Sequence, residues 1–184
     1  MKSFSRIALC FLLLTMIGVS AADAQSGRPR ASQRGYVEQT VGSTQIKITY
    51  HRPNKKGRAL WGEGKDFLVP YGKIWRAGAN EATVIEFTED VTIDGQPLAT
   101  GKYSFYTIPG EKEWTLIFNK SWDQWGTVYD QKSDALRVTT KPTMSTESKE
   151  TLGYYIEDVA ANSAVVVLAW DKAKIAFKVE TVGK

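Results

Sequence analysis

GKYSFYTIPGEKEWTLIFN, residues 101–119, reads as two strands folded back on each other. Pro109 presets φ at the bend and Gly110 takes the next position, the chemistry of a tight reversal. Tyr103 and Phe105 alternate with Tyr106 and Ile108 on the first run, and Trp114, Leu116 and Phe118 with Ile117 on the second. Successive side chains of a strand point to opposite faces, so both faces of this hairpin are apolar and both must be covered.

Working outward, the same period of two recurs. Thr44 to Tyr50 alternates Ile46, Ile48 and Tyr50 with Lys47 and Thr49, and Gly42-Ser43 before it suits a hairpin turn. EATVIEFTEDVTIDGQPL, residues 81–98, gives two strand-like pieces with Asp94-Gly95 as a turn needing positive φ. DALRVTT, LGYYIEDV, SAVVVLAW and KIAFKVETV give four more, and the last alternates Ile175, Phe177 and Val179 with Lys174, Lys178 and Glu180, leaving one wet face. Helical periodicity is absent beyond the N-terminal run. About eight or nine short antiparallel strands predict an all-β fold, an antiparallel β-sandwich or a partly closed barrel.

One segment breaks the pattern. Between His51 and Asn80 the chain carries glycines at 57, 62, 64, 72 and 78, two prolines and little alternation. Connections this long are uncommon without a function or disorder. Leu60, Trp61, Phe67, Leu68, Val69, Tyr71, Ile74 and Trp75 supply the apolar surface that disordered segments lack, so an ordered loop packed over one end of the sandwich is expected.

The N-terminus sets the compartment. Lys2 and Arg6 precede an apolar run from Ile7 to Val19 and then Ala22-Asp23-Ala24, the form of a cleaved secretory signal over residues 1–24. The run is about 13 residues against about 20 for a membrane-spanning helix, so no transmembrane segment is expected after cleavage. A polar leader over 25–33 and one all-β domain over 34–184 follow. Cys10, the only cysteine, falls within the signal, which excludes disulfides and thiolate chemistry from the mature chain. The 24 basic side chains are scattered among 20 acidic ones without a clustered stripe, which argues against nucleic-acid binding.

RPNKKGRALWG, LVPYGKIWRAGANEATVIEF, GKYSFYTIPGEKEWTLIFNK and QWG, in this order, resemble the bacterial secreted family known as domain of unknown function 2911. The resemblance runs from about Ala31 to the C-terminus. It implies a single all-β domain exported by bacteria with a Gram-negative envelope, and it transfers no catalytic residue, because the family has no established activity.

Chemistry must therefore be read from the residues. His51 is the only histidine, so a zinc site would need three carboxylates around one imidazole. Glu89, Asp90 and Asp94 lack the dense acidic spacing of a calcium loop, and no metal or other cofactor is expected. A Ser-His-Asp arrangement would need His51 as base, and the chain has no Gly-x-Ser-x-Gly elbow; an exposed or capped imidazole is expected instead. The aromatic residues carry the leading reading. Trp61, Tyr71, Trp75, Trp122 and Trp125 sit in or beside loops, where flat faces stack on the C–H faces of sugars while Arg76, Asn80 and Glu81 bond hydroxyls. The expected function is a non-catalytic binding domain for a carbohydrate or other envelope component. The competing readings are loop anchoring by Trp75 with an internal Arg76–Glu81 pair, a carboxylate-based hydrolase using Glu81 with Asp66 or Glu63, and a structural envelope protein presenting sheet edges. Arg58 and Lys73 are further candidates for an anion site, against a solvated face. Oligomeric state is not legible at this level.

Overall fold

In the computed structural model, residues 29–182 are described; the signal reading over 1–24 and the first four residues of the leader lie outside them. The chain forms β1 (Gln33–Val41), β2 (Thr44–Arg52), β3 (Trp61–Gly62), β4 (Val69–Pro70), β5 (Thr83–Phe87), β6 (Val91–Ile93), β7 (Gln96–Leu98), β8 (Gly101–Ile108), β9 (Trp114–Asn119), β10 (Asp134–Thr140), β11 (Thr143–Glu157) and β12 (Ser163–Thr181). One sheet runs β1-β2-β5-β8-β9-β10 and a second β11-β12-β6-β7, with every neighbouring pair antiparallel. The sheets stay open, so the architecture is the sandwich rather than the barrel.

The hairpin of residues 101–119 is β8 and β9, in the interior of the larger sheet. Its inward face, Tyr103, Phe105, Trp114, Leu116 and Phe118, meets Leu152, Tyr154, Leu168, Trp170 and Phe177 of the opposite sheet in one core. Its outward face is covered as well, because Tyr106 and Ile117 pack with Ala82, Ile108 and Tyr129 into a second, smaller cluster. The cover is the 120–133 connection, which ends in a single 3-10 turn at Gln131–Ser133. Asn119, wholly buried, fastens it: its Nδ2 donates to the Asp130 carbonyl at 2.8 Å and to Asp134 Oδ1 at 2.7 Å, and its Oδ1 accepts from the Ser121 amide at 2.9 Å.

Turn chemistry holds where expected. Gly42 (φ 60°) joins β1 to β2, and Asp94 (φ 48°) with Gly95 (φ 81°) joins β6 to β7. The C-terminal region differs from expectation. SAVVVLAW and KIAFKVETV are one strand, β12, and not two. Ala164, Val166, Leu168 and Trp170 are buried on one phase, and Ala173, Ile175, Phe177 and Val179 on the opposite phase. Asp171, at φ 52°, sits at the change of phase, and the pairing with β11 shifts register on both sides of it, with the extra residues on β11. A bulge thus keeps one face turned inward while the strand bends, whereas on paper the lost alternation looks like a break.

The segment between β2 and β5 is ordered and closes one end of the sandwich. β3 and β4 pair in parallel, and Leu60 and Val69 are buried. Further on, Trp75 exchanges both backbone hydrogen bonds with Thr107 of β8, each at 2.8 Å. Since β5 pairs with β8 from Thr83↔Phe105 onward, the loop exit continues the line of β5, and residues 77–82 bulge from it. Positive φ falls at Ala77 (49°) and Asn80 (58°) and not at Gly78. Gly78 is needed for space: a Cβ there would meet Thr83 Oγ1 at 2.7 Å and the His51 carbonyl at 3.3 Å. The Ala77 carbonyl accepts from Tyr154 Oη at 2.8 Å and Thr83 Oγ1 at 3.1 Å, joining the loop exit to both sheets.

Candidate functional site

The candidate residues named from the sequence fall into three places. Trp61 and Trp75 belong to a cluster of four indoles with Trp114 and Trp170. Trp75 stacks on Trp170 with ring centroids 5.9 Å apart and planes at 16°, and Trp61 meets Trp75 and Trp114 edge-on at 5.4 and 4.9 Å. Edge-to-face and offset geometries are the favourable ones for aromatic pairs. Trp75 therefore anchors the loop to the core. Tyr71, half-buried, holds the loop to itself through its amide on the Gly62 carbonyl at 2.8 Å.

Glu81, Trp122 and Trp125 come together at a first cavity of about 740 Å³ on the outer surface of the six-stranded sheet. Thr49 and His51 from β2 and Val84 from β5 line it, as do Arg30 and Ser32 from the chain leading into β1 and Gln33 and Arg34 from the start of β1. The remaining wall is Trp122-Asp123-Gln124-Trp125. Backbone bonds hold this wall in place: the Ala82 amide donates to the Gln124 carbonyl and the Gly126 amide to the Asn80 carbonyl, both at 3.1 Å. Gly126 is required there, because a Cβ would fall 2.7 Å from the Asn80 carbonyl oxygen. Trp125 is 49% and Trp122 38% exposed, and Lys102 Nζ lies 5.0 Å over the Trp122 ring. The two indoles are thus presented to solvent on a backbone that is fixed.

Polar groups inside the cavity are ordered around Glu81. Arg30 Nη1 donates to Oε1 at 2.7 Å and to Oε2 at 2.8 Å, and His51 Nε2 lies 3.4 Å from Oε2. The hydrogen bond from Arg30 is the main reason that the Glu81 carboxyl is held below the usual carboxylate range, with the His51 charge adding to it. His51, expected to be exposed or capped, is buried at 8% exposure, and burial pushes its pKa below 6.5 despite Glu81. Its Nδ1 is enclosed and without a hydrogen-bond partner among the described residues. The expected Arg76–Glu81 pair is not formed, since Glu81 is taken by Arg30 and His51.

Arg76 and Asn80 line a second cavity, on the far side of the Ser32–Asn80 contact, in which Asn80 Nδ2 donates to the Ser32 carbonyl at 3.2 Å. Glu63 and Asp66 are exposed on the long loop and line neither cavity. The carboxylate that shares the first cavity with Glu81 is Asp123, which the sequence reading passed over. So it did Arg30, Arg34, Gln124 and the site role of His51. Among the described residues no group of three His, Cys, Asp or Glu is placed to hold a metal ion, and no helix is long and apolar enough to cross a membrane.

No curated protein and no solved structure matches the chain. A family model matches residues 32–179, from the strand entry beside the first cavity to within two residues of the end of β12. The chain belongs to the family described as protein of unknown function (DUF2911).

Proposed function

We propose that the protein is an exported, non-catalytic binding domain whose first cavity takes a carbohydrate of the cell envelope. The observation that carries this reading is the pair of exposed indoles, Trp122 and Trp125, fixed by backbone bonds beside Glu81, Asp123 and Gln124 at an open cavity. Exposed indoles cost solvation unless something covers them, and the C–H face of a sugar ring does so while its hydroxyls find carboxylate and amide partners. Both polar and apolar groups are supplied from a rigid sheet and a pinned loop, so little ordering is needed on binding. Export is supported by the charged, apolar and small-x-small sequence over residues 1–24.

A panel of envelope and plant glycans, read by melting temperature and tryptophan fluorescence, tests the proposal. A ligand at about 100 times its Kd stabilises by about 2.7 kcal/mol, or about 5 to 10 °C for a domain of this size. Trp125→Ala should abolish the response and leave the unliganded melting temperature nearly unchanged. A panel without any shift would sink the idea.

One observation favours a second reading: Glu81 and Asp123 share the cavity, with His51 beside Glu81. Two carboxylates flanking a sugar are the machinery of glycoside hydrolysis. Turnover of a bound glycan that disappears in Glu81→Gln would establish it, and binding without turnover would dismiss it.

A further inference from the structure

The second cavity, of about 420 Å³, has a different character from the first. Trp75, Trp170, Leu68 and Val69 make an apolar wall, and Lys56, Arg58 and Arg76 supply the charge. Among the described residues no carboxylate lines it. The acids nearby are already engaged: Asp171 bonds Lys55 Nζ at 2.7 Å and Ser148 Oγ at 2.6 Å, and Glu150 Oε1 accepts from the Lys56 amide at 2.7 Å.

Two of the three cations are held in place before any ligand arrives. Arg58 donates Nε to the Lys55 carbonyl at 2.9 Å and Nη2 to the Asn54 carbonyl at 2.6 Å, which fixes the guanidinium without neutralising it. Arg76 packs its aliphatic part against Gly126, and among the described residues no carboxylate lies within ion-pair distance of it. Its Nε is enclosed and has no hydrogen-bond partner among the described residues. Withdrawing a guanidinium from water without a counter-charge is unfavourable, and proteins normally compensate it with a carboxylate. Here the fold keeps the charge, which acts on Tyr106, and Arg76 also contributes to the lining of an acid-free cavity.

We infer that the second cavity binds an oxyanion, a carboxylate or phosphate group carried on an apolar or aromatic body. The planar fork of an arginine matches the two oxygens of either group, and the indole and aliphatic wall accepts the body that carries them. Lys56, on the turn at φ 51°, adds a mobile charge at the rim. This site is separate from the carbohydrate reading of the first cavity and does not depend on it.

Calorimetric and fluorescence titrations of the mature protein with benzoate, phenyl phosphate and inorganic phosphate, with benzyl alcohol as the uncharged control, test the inference. Expected are saturable binding of benzoate or phenyl phosphate with a change in indole emission, weaker binding of inorganic phosphate, and none of benzyl alcohol. Benzoate against phenyl phosphate then tells which oxyanion the site prefers. Arg76→Gln should weaken binding about tenfold or more, in keeping with loss of a charge-assisted pair. Because Arg76 is partly buried, the exposed double change Lys56→Gln with Arg58→Gln provides an independent arm, again with about tenfold loss. Trp125→Ala should leave this binding unchanged. Absence of binding by all three anions, equal binding of benzyl alcohol, or full affinity in the double variant would overturn the assignment.

Discussion

Trp75→Ala separates a loop anchor from a first-cavity ligand contact. The substitution removes an indole that stacks on Trp170 and meets Trp61 and Trp114 edge-on. An aromatic side chain of this kind buries about 150 Å² or more, worth about 4 kcal/mol at about 25 cal/mol per Å². Trp75 is half-buried, and alanine retains part of the area, so a loss of about 3 kcal/mol is expected, at the lower end for such truncations. The two backbone bonds to Thr107 do not involve the side chain and should persist, so the native fold is kept while its stability falls. Urea unfolding followed by far-ultraviolet circular dichroism should show the midpoint lowered at constant slope, with the melting temperature down by about 6 to 12 °C. Affinity for a first-cavity ligand should not change. A stability loss under about 1 kcal/mol, or loss of that affinity at full stability, would refute the anchoring role.

Three other substitutions probe the surroundings of the first cavity. Gly126→Ala places a Cβ 2.7 Å from the Asn80 carbonyl oxygen and closer still to Arg76 Cδ, so a loss of about 2 kcal/mol with weakened ligand binding is expected from thermal denaturation. The folded-state pKa of His51 lies below 6.5, so the unfolded chain takes up its proton first: the stability it contributes is present above pH 6.5 and is lost as pH falls below it. Glu81, held below 4.5, adds a second loss only under pH 4.5. Denaturant titrations between pH 5 and 7 should show a slope of at most about 1.4 kcal/mol per pH unit, absent in His51→Gln. Arg30→Ala should raise the Glu81 pKa, measured by carboxyl NMR titration, and shift stability by less than about 0.5 kcal/mol because the pair is exposed.

The sandwich was legible because burial of one strand face imposes a period of two, and residues 101–119 showed in addition that both faces are covered. Legibility failed where backbone geometry carried the information. At Asp171 a positive φ reverses the phase of β12, and alternation alone cannot distinguish a bulge from a strand end. The aromatic residues were divided by exposure. Trp75 and Trp125 are both loop tryptophans beside small residues, yet one packs against the core and the other stands at the rim of the first cavity, because only the pairing of Trp75 with Thr107 and of Glu81 with Trp125 determines which face each presents. His51 was misjudged for a related reason. At the end of β2 it was expected to be exposed or capped, but the Gly78 bulge packs on its carbonyl and the chain leading into β1 closes over the same face. Asp123 and Arg30 are about 42 and 51 residues from Glu81 in sequence, and no local pattern links them.

The four indoles of the core cluster and the two at the first cavity can be observed separately. The chain has six tryptophans, and their indole N–H resonances can be assigned by single substitutions to phenylalanine. Titration with the glycan that raises the melting temperature most should move the resonances of Trp122 and Trp125 in a saturable way and leave those of Trp61, Trp75, Trp114 and Trp170 in place. Movement confined to the core four, or no movement with any glycan, would contradict a carbohydrate site at the first cavity.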